Sequence, residues 1–304
     1  MSHTRTLVEA LRKRLGGAAP LPPPAPTPRI PEPPVRVFPR RNEKTAYAKE
    51  AATHTTALLG IGHVGTRYAT DVVLQFQAEL AVAHGAVAHE LAPDFAARNA
   101  LLPLESRVAD HRQFLLRPDL GRRLSDESVH RLRAGATKSP DVQPILADGL
   151  SAVACEGSGM ALLHAFTRAC ERRGLTVGTP VCARYARVWL EDEIGEIVGA
   201  KVAAILLGER PGLGTGDGLS AYLVYEPKLG KTDGDRNMMS NIHARGTPPE
   251  VAGDRLAVLA KAMVDQRTSG VSLDLSGLVA ELGEAASRAP RAPQERVRLV
   301  EVDR

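Results

Sequence analysis

From Asp141 onward, apolar and polar residues alternate in blocks whose lengths suit strands and helices in turn. Val142 to Leu146 reads as a strand ending at Asp148 and Gly149, Met160 to Arg173 as a helix closed by Gly174, and Thr179 to Val188 contains a second strand. Glu191 to Val198 is a short acidic helix, Val202 to Leu207 a third strand and Ala221 to Tyr225 a fourth. Thr247, Pro248, Pro249 and Glu250 have the spacing of a capping box with proline in the first turn; they open a long helix running to about Ser269 before Gly270. The unbroken apolar run from Val202 to Leu207 suits a strand covered on both faces, as in parallel sheets. Strands alternating with helices predict an α/β fold, a parallel sheet flanked by helices with right-handed crossovers. Asp148, Val188 and Glu209 then follow strands that end on one edge, where open α/β sheets hold their ligands.

Upstream of residue 136 the pattern is helical. Val72, Val73, Phe76, Leu80 and Val87 recur at helical spacing and are expected in the core. Ser125, Asp126 and Glu127 suit a helix N-terminus, where free N–H groups and the dipole favour acceptors and negative charge. Thr4 to Leu15 is a short amphipathic helix, with Leu7, Val8, Leu11 and Leu15 on one side and Thr6 and Glu9 spaced as a capping box. Half the residues from Pro20 to Pro39 are proline, which gives an extended tether without a core. A patterned helix on such a tether predicts a docking peptide, against the alternative of a frayed tail. The resulting division is 1–17 docking helix, 18–41 Pro-rich linker, 42–135 helical region, 136–273 α/β domain and 274–304 C-terminal extension.

Composition narrows the class. A chain of 304 residues with 43% hydrophobic content can bury a sizeable core in one large or two modest domains. No apolar run approaches the ~20 residues of a membrane span, and the N-terminus lacks the apolar core and cleavage site of a secretory signal. A cytoplasmic location without membrane attachment is expected. Cys155, Cys170 and Cys182 are odd in number and form no CxxC, which predicts reduced thiols rather than a disulfide framework or zinc site. A net charge of +4 and 4% aromatic content argue against nucleic-acid binding. The basic excess is local instead, at Arg12-Lys13-Arg14, Arg40-Arg41 and Arg122-Arg123.

The third strand stops abruptly at Gly208, and Glu209 and Arg210 followed by a glycine-rich loop make a candidate binding edge. The same residues would also serve as a plain turn, with Glu209 paired to Arg210 in solvent. Arg122 and Arg123 could read an anionic ligand or partner, or simply be solvated. Other motifs fail on context. Gly60 to Gly65 fits GxGxxG, but its preceding strand is too short and Glu79, the acid about 20 positions on, lies inside a helix. Gly230-Lys231-Thr232 lacks the first glycine of a P-loop, Tyr225 standing in its place, and Gly157-Ser158-Gly159 lacks the GxSxG spacing. His84 and His89 are one residue too far apart for a helical metal pair and are expected on the surface. No nucleophile, base and orienting group can be assembled, which points to a subunit that holds a ligand for another protein.

The strings RPDLGRRL, ADGLSA, RYARVWLEDEIGEIVGAK, LLGERPGLGTGDGLSAY, DRNMMSNIHARGTPPE and SGVSL, in this order, closely resemble the small subunit of ethanolamine ammonia-lyase over roughly Leu115 to Leu273. The resemblance implies an adenosylcobalamin-dependent lyase converting ethanolamine to acetaldehyde and ammonia by a radical route. It implies a large-subunit partner, a (β/α)₈ barrel carrying the substrate site, with 42–135 as the region contacting it. The family's cobalamin contacts fall on Val188, Glu209 and Met238. Met238 departs from the pattern, since related small subunits can carry cysteine there. The N-terminal third also departs: GHVG and AELAVAHGAV replace the usual GRAG and the helix with Asp-His and Arg-Asp pairs. The first forty residues resemble the peptides that load enzymes into bacterial microcompartments, which implies a shell-protein partner. The alternatives are a non-catalytic assembly or scaffold paralogue and a dinucleotide-binding oxidoreductase.

Overall fold

Runs of apolar residues long enough to be covered on both sides set the centre of this molecule, and strands that are covered on one side only flank them. The computed structural model describes Glu50 and residues 63–214, 216–278 and 281–283; the expected docking helix, the Pro-rich linker and residues 284–304 lie outside these. Everything described belongs to one compact unit, Arg36–Arg304. A short hairpin, β1 (His63–Val64) and β2 (Arg67–Tyr68), leads into α1 (Thr70–Ala88), then α2 (Phe95–Arg98), β3 (Leu102–Glu105), α3 (His111–Leu116) and α4 (Asp126–Gly135). Next come β4 (Val142–Ala147) and α5, which begins at Ala152–Ala154, passes a π turn at Cys155–Gly159 and continues as Met160–Arg172. The rest is β5 (Val181–Arg184), α6 (Leu190–Val198), β6 (Val202–Gly208), β7 (Leu219–Tyr225), β8 (Arg236–Ile242) and α7 (Pro249–Gln266).

Six strands form one sheet in the order β3-β5-β4-β6-β7-β8. The strands β5, β4 and β6 are parallel, as the alternation of strands and helices predicts; β3 joins them in parallel without having been expected, and the expected fourth parallel strand, Ala221 to Tyr225, instead lies in antiparallel β7. The last two are antiparallel, because Glu209 to Gly218 contains no crossover helix and can only turn β7 back along β6. Every residue of β4 and β6 is buried. Alternate residues of β6 point to opposite cores: Val202, Ala204 and Leu206 meet α5 and α7, while Ala203, Ile205 and Leu207 meet α4 and α6.

Two local expectations need correcting. Val72 is buried as expected, but Val73 and Leu80 are exposed, and α1 turns Glu79, Ala83 and Ala86 inward in their place. Thr247 does not cap α7, whose N-cap is Pro248 without a side-chain hydrogen bond. Thr247 is held in a turn instead, its N–H donating to Asn241 O (2.9 Å) and its carbonyl accepting from His243 N (3.1 Å). The cap read at Ser125 does form, its side chain accepting from Ser128 N.

Candidate functional site

The carboxyl ends of β4 and β6 approach so closely that only glycine fits. A Cβ on Gly208 would stand 2.2 Å from Ser151 O, and one on Gly149, whose φ is +55°, would stand 2.3 Å from Gly208 O. This junction fixes where Glu209 emerges. Its N–H donates to Gly218 O (2.9 Å), closing the loop base. Its Oε1 accepts from the Ser220 hydroxyl and from Asn241 N (3.2 Å), whereas Oε2 accepts no hydrogen bond among the described residues. The solvent pair of Glu209 with Arg210 is not formed among these residues; Glu209 turns back toward β7 and β8.

Beyond β5, Tyr185 takes a left-handed backbone (φ +52°), a costly conformation for a bulky residue that the surroundings must hold in place. Asp148 holds it, Oδ2 accepting from Tyr185 N (2.7 Å) and Oδ1 from Ala186 N (3.2 Å). The Ser106 hydroxyl donates to Tyr185 O (2.8 Å). Burial pushes the Asp148 carboxyl up to about 6, against the pull of the main-chain N–H groups of Tyr185, Ala186 and Gly149. The turn carries Arg187, Val188 and Trp189 across the edge into α6. Val188 is half-buried on the α4/α6 side of the core. Trp189 Nε1 donates to Asp233 Oδ1 (2.7 Å) at the foot of β8.

Met238 lies on β8 opposite Tyr222, and Tyr222 lies opposite Ile205 of β6, so all three share the α4/α6 face. Met238 is 51% exposed and Tyr222 half-buried, leaving an apolar shelf on the outer strands. Burial pushes the Tyr222 phenol up, and the Glu209 carboxylate adds to this. Strand alternation continues the row Ala203, Ile205, Leu207 to Glu209. Val188, Glu209 and Met238 therefore lie on one face of the sheet, with Ser220 and Tyr222 on the strand between the last two. Sequence reasoning missed Ser220, Tyr222 and Asn241. Their only trace is that Ser220 and Tyr222 interrupt the apolar row of Leu219, Ala221 and Leu223.

Beneath the shelf is a buried ionic cluster. Arg236 Nη1 donates to Glu191 Oε1 and Asp192 Oδ1 (both 2.8 Å), and Nη2 to Asp192 Oδ2 (2.7 Å). All three side chains are nearly inaccessible. One guanidinium faces two carboxylates, and burial drives Glu191 well above the usual carboxylate range and raises Asp192. Burial alone would lower Arg236, but the hydrogen bonds and fields of Asp192 and Glu191 outweigh it and leave Arg236 raised. Its charge is secure, and Glu191 is the group driven toward protonation.

The remaining motifs take structural places. His84 is exposed; His89 is half-buried, its Nε2 2.9 Å from Glu156 Oε2. Gly65 turns the β1–β2 hairpin, and Thr232 caps a short turn with Asp235. Cys155, Cys170 and Cys182 are free and buried, and burial pushes the last two thiols up to about 12 and Cys155 well above its ordinary value, which disfavours the reactive thiolate. Among the described residues no cluster could hold a metal ion, and no helix is long and apolar enough to cross a membrane.

Fold and edge together define an α/β protein with a candidate ligand-binding face. The model of the family described as ethanolamine ammonia-lyase light chain matches residues 46–274. The chain is also 42% identical over 221 residues, 73% of its length and 75% of the relative's, to the ethanolamine ammonia-lyase small subunit of Fusobacterium nucleatum subsp. nucleatum. It belongs to the ethanolamine ammonia-lyase light-chain family.

Proposed function

We propose that this chain is the cofactor-contacting small subunit of an adenosylcobalamin-dependent ethanolamine ammonia-lyase, converting ethanolamine to acetaldehyde and ammonia only together with a large subunit. The observation that carries this reading is the unfilled acceptor Glu209 Oε2 on a face shared with Val188, Tyr222 and Met238. A corrin is an apolar plate rimmed by amide side chains. Val188, Tyr222 and Met238 offer apolar contact, and Glu209 accepts an amide N–H, so the residues present fit the group. Adenosylcobalamin supplies the radical chemistry when bound; this chain binds and orients.

The large subunit covers residues 42–135 in this reading, where α1 leaves Val73, Leu74 and Leu80 exposed. Residues 1–17 serve as a docking peptide for a microcompartment shell, an apolar helix face entering a groove. A fluorescent fusion of residues 1–39 that stays diffuse among assembled shells would remove that part of the reading.

The deciding experiment is co-expression with the large subunit, followed by cobalamin titration and turnover. The unsubstituted complex is expected to hold cobalamin and produce acetaldehyde, and the purified small chain alone is expected to produce none. Glu209→Ala is expected to weaken cofactor binding by about 1 to 3 kcal/mol while the fold survives. Equal affinity in the variant complex, or acetaldehyde from the isolated chain, would overturn the assignment.

A further inference from the structure

Most arginines around the binding face have acidic partners: Arg117 with Asp119, Arg123 with Glu193, Arg184 with Glu90, and Arg236 with Glu191 and Asp192. Arg122, Arg187 and Arg210 differ, making no ion pair among the described residues. Two of them are held in place nonetheless. The Arg187 guanidinium lies 4.1 Å from the Phe114 ring centroid and donates through Nη2 to Phe114 O (2.8 Å), while its buried Nε has no partner. Arg122 stacks 4.4 Å from the Trp189 ring centroid. Their segments are joined, Arg187 N donating to Gly121 O (2.8 Å), and a Cβ on Gly121 would press within 2.8 Å of Arg187 Cγ. Arg210 is the residue after Glu209, and Arg187 the residue before Val188.

Burial first, and then the fields of Arg122 and Arg210, pull the Arg187 guanidinium below its ordinary value. Arg187 therefore feels the positive charge of both Arg122 and Arg210. The carboxylate that opposes them is Asp148, and its oxygens are already taken by the N–H groups of Tyr185 and Ala186. Such an arrangement is stabilised by an anion placed among the guanidiniums, whose planar forks match the oxygens of a phosphate.

We propose that Arg122, Arg187 and Arg210 form an anion subsite adjoining Val188 and Glu209, and that its occupant is the nucleotide phosphodiester of a bound cobalamin. This rests on the cofactor reading above. The amide rim of a corrin needs an acceptor such as Glu209; the phosphodiester of the nucleotide loop is anionic and needs cations. The two kinds of residue stand side by side here.

The test uses the complex of the full chain with the large subunit, titrated by absorbance with cyanocobalamin and with dicyanocobinamide, which lacks the nucleotide loop and its phosphodiester. The double variant Arg122→Gln/Arg210→Gln changes two exposed residues and leaves the half-buried Arg187 to hold the local fold. It is expected to weaken cyanocobalamin binding by about 10- to 100-fold, the scale of losing charge-assisted hydrogen bonds, and to leave cobinamide binding unchanged. Glu209→Ala is expected to weaken both ligands. Equal weakening of both by the arginine variant, or no weakening of either, overturns the subsite. Loss of subunit assembly with cyanocobalamin affinity intact in the assembled fraction also overturns it and assigns the arginines to carboxylates of the large subunit. If the unsubstituted complex holds neither corrinoid, the cofactor reading itself falls, and the phosphodiester with it.

Discussion

The two faces of the sheet are built from the same strands and yet differ in kind. On one face, α5 and α7 close over Val142, Leu146, Ala204, Leu206, Ala221 and Leu223 with apolar side chains. The helices approach so tightly that a Cβ on Gly253 would stand 2.6 Å from both Ala165 Cβ and Phe166 N. On the other face, α4 and α6 cover β4 and β6 with Leu132, Leu190 and Ile194, but the same helix α6 buries Glu191, Asp192 and Glu193. Arg236 reaches in from β8 to meet the first two, and Arg123 meets the third. The first face stabilises; the second gives up part of its apolar core to tie β8 and the Trp189 turn to α6. Every candidate site residue lies on that second face. The difference teaches that the position of the shelf is held by charge, and hence by geometry with little slack, where the opposite face is held by volume.

Removing the charge that holds it is expected to have the largest effect. Arg236→Met leaves Glu191 and Asp192 buried without a cation, a loss of about 3 to 5 kcal/mol when one member of a buried ionic group is taken away. Denaturant titration of the full chain checks this, and a loss below about 1 kcal/mol would mean that water or local rearrangement reaches the cluster. In that event the second face would be no more specified than an ordinary surface.

How far these faces could be read from the chain follows from how each strand is covered. Val202 to Leu207 was legible because a strand buried on both sides is apolar throughout. The strands that left little trace are the two edges. Leu102 to Glu105 is four residues long and contains Pro103, while Arg236 to Ile242 carries Arg, Asn and Ser and buries only its two end residues. Helix α1 misled in the opposite way: Val73 and Leu80 keep helical spacing but face outward, and Glu79 faces in. The antiparallel turn after β6 depended on a helix being absent from Glu209 to Gly218, which a glycine-rich string suggests but does not force. Of the candidate site, Val188 and Glu209 followed from topology, since β5 and β6 run parallel on either side of β4 and the residues after them emerge at the same edge of the sheet. Met238 came only through family resemblance. Ser220, Tyr222 and Asn241 depend on the register of β7 with β8, including its irregularity between Leu219 and Ala221, and no local pattern encodes that.

A smaller effect separates the faces by pH. Asp148 titrates near 3.9 in an unfolded chain and at about 6 when folded. The native state therefore binds this proton more tightly, and the group's stability contribution, fully present below the unfolded value, is lost as pH rises through about 6. Glu191 and Asp192, both raised by burial, act with the same sign. Asp141 is held at about 2 by Lys201 and Thr176 despite burial, so its opposite contribution is lost only at much lower pH. The thermal midpoint is expected to rise as pH falls from about 7.5 to about 5, with on the order of 1 to 3 kcal/mol from Asp148. Asp148→Asn should flatten that rise, and parallel midpoint curves for the two proteins would remove Asp148 as its source.

The smallest expected change in folding is at the shelf itself. Met238 is half exposed on an edge strand, so Met238→Ala removes little that the fold uses and should alter stability by less than about 0.5 kcal/mol. A ligand lying on the shelf would cover that side chain, and truncating it should then cost roughly 1 to 2 kcal/mol of cobalamin affinity in the complex, the scale of one or two lost methylene contacts. Met238→Leu, which keeps the apolar volume, should restore most of it. The two readouts divide the possibilities. A stability loss above about 1 kcal/mol would mean that β8 depends on Met238 for its own packing. Unchanged stability together with unchanged affinity would leave the shelf outside the ligand's footprint, with Glu209 and Val188 alone marking the site.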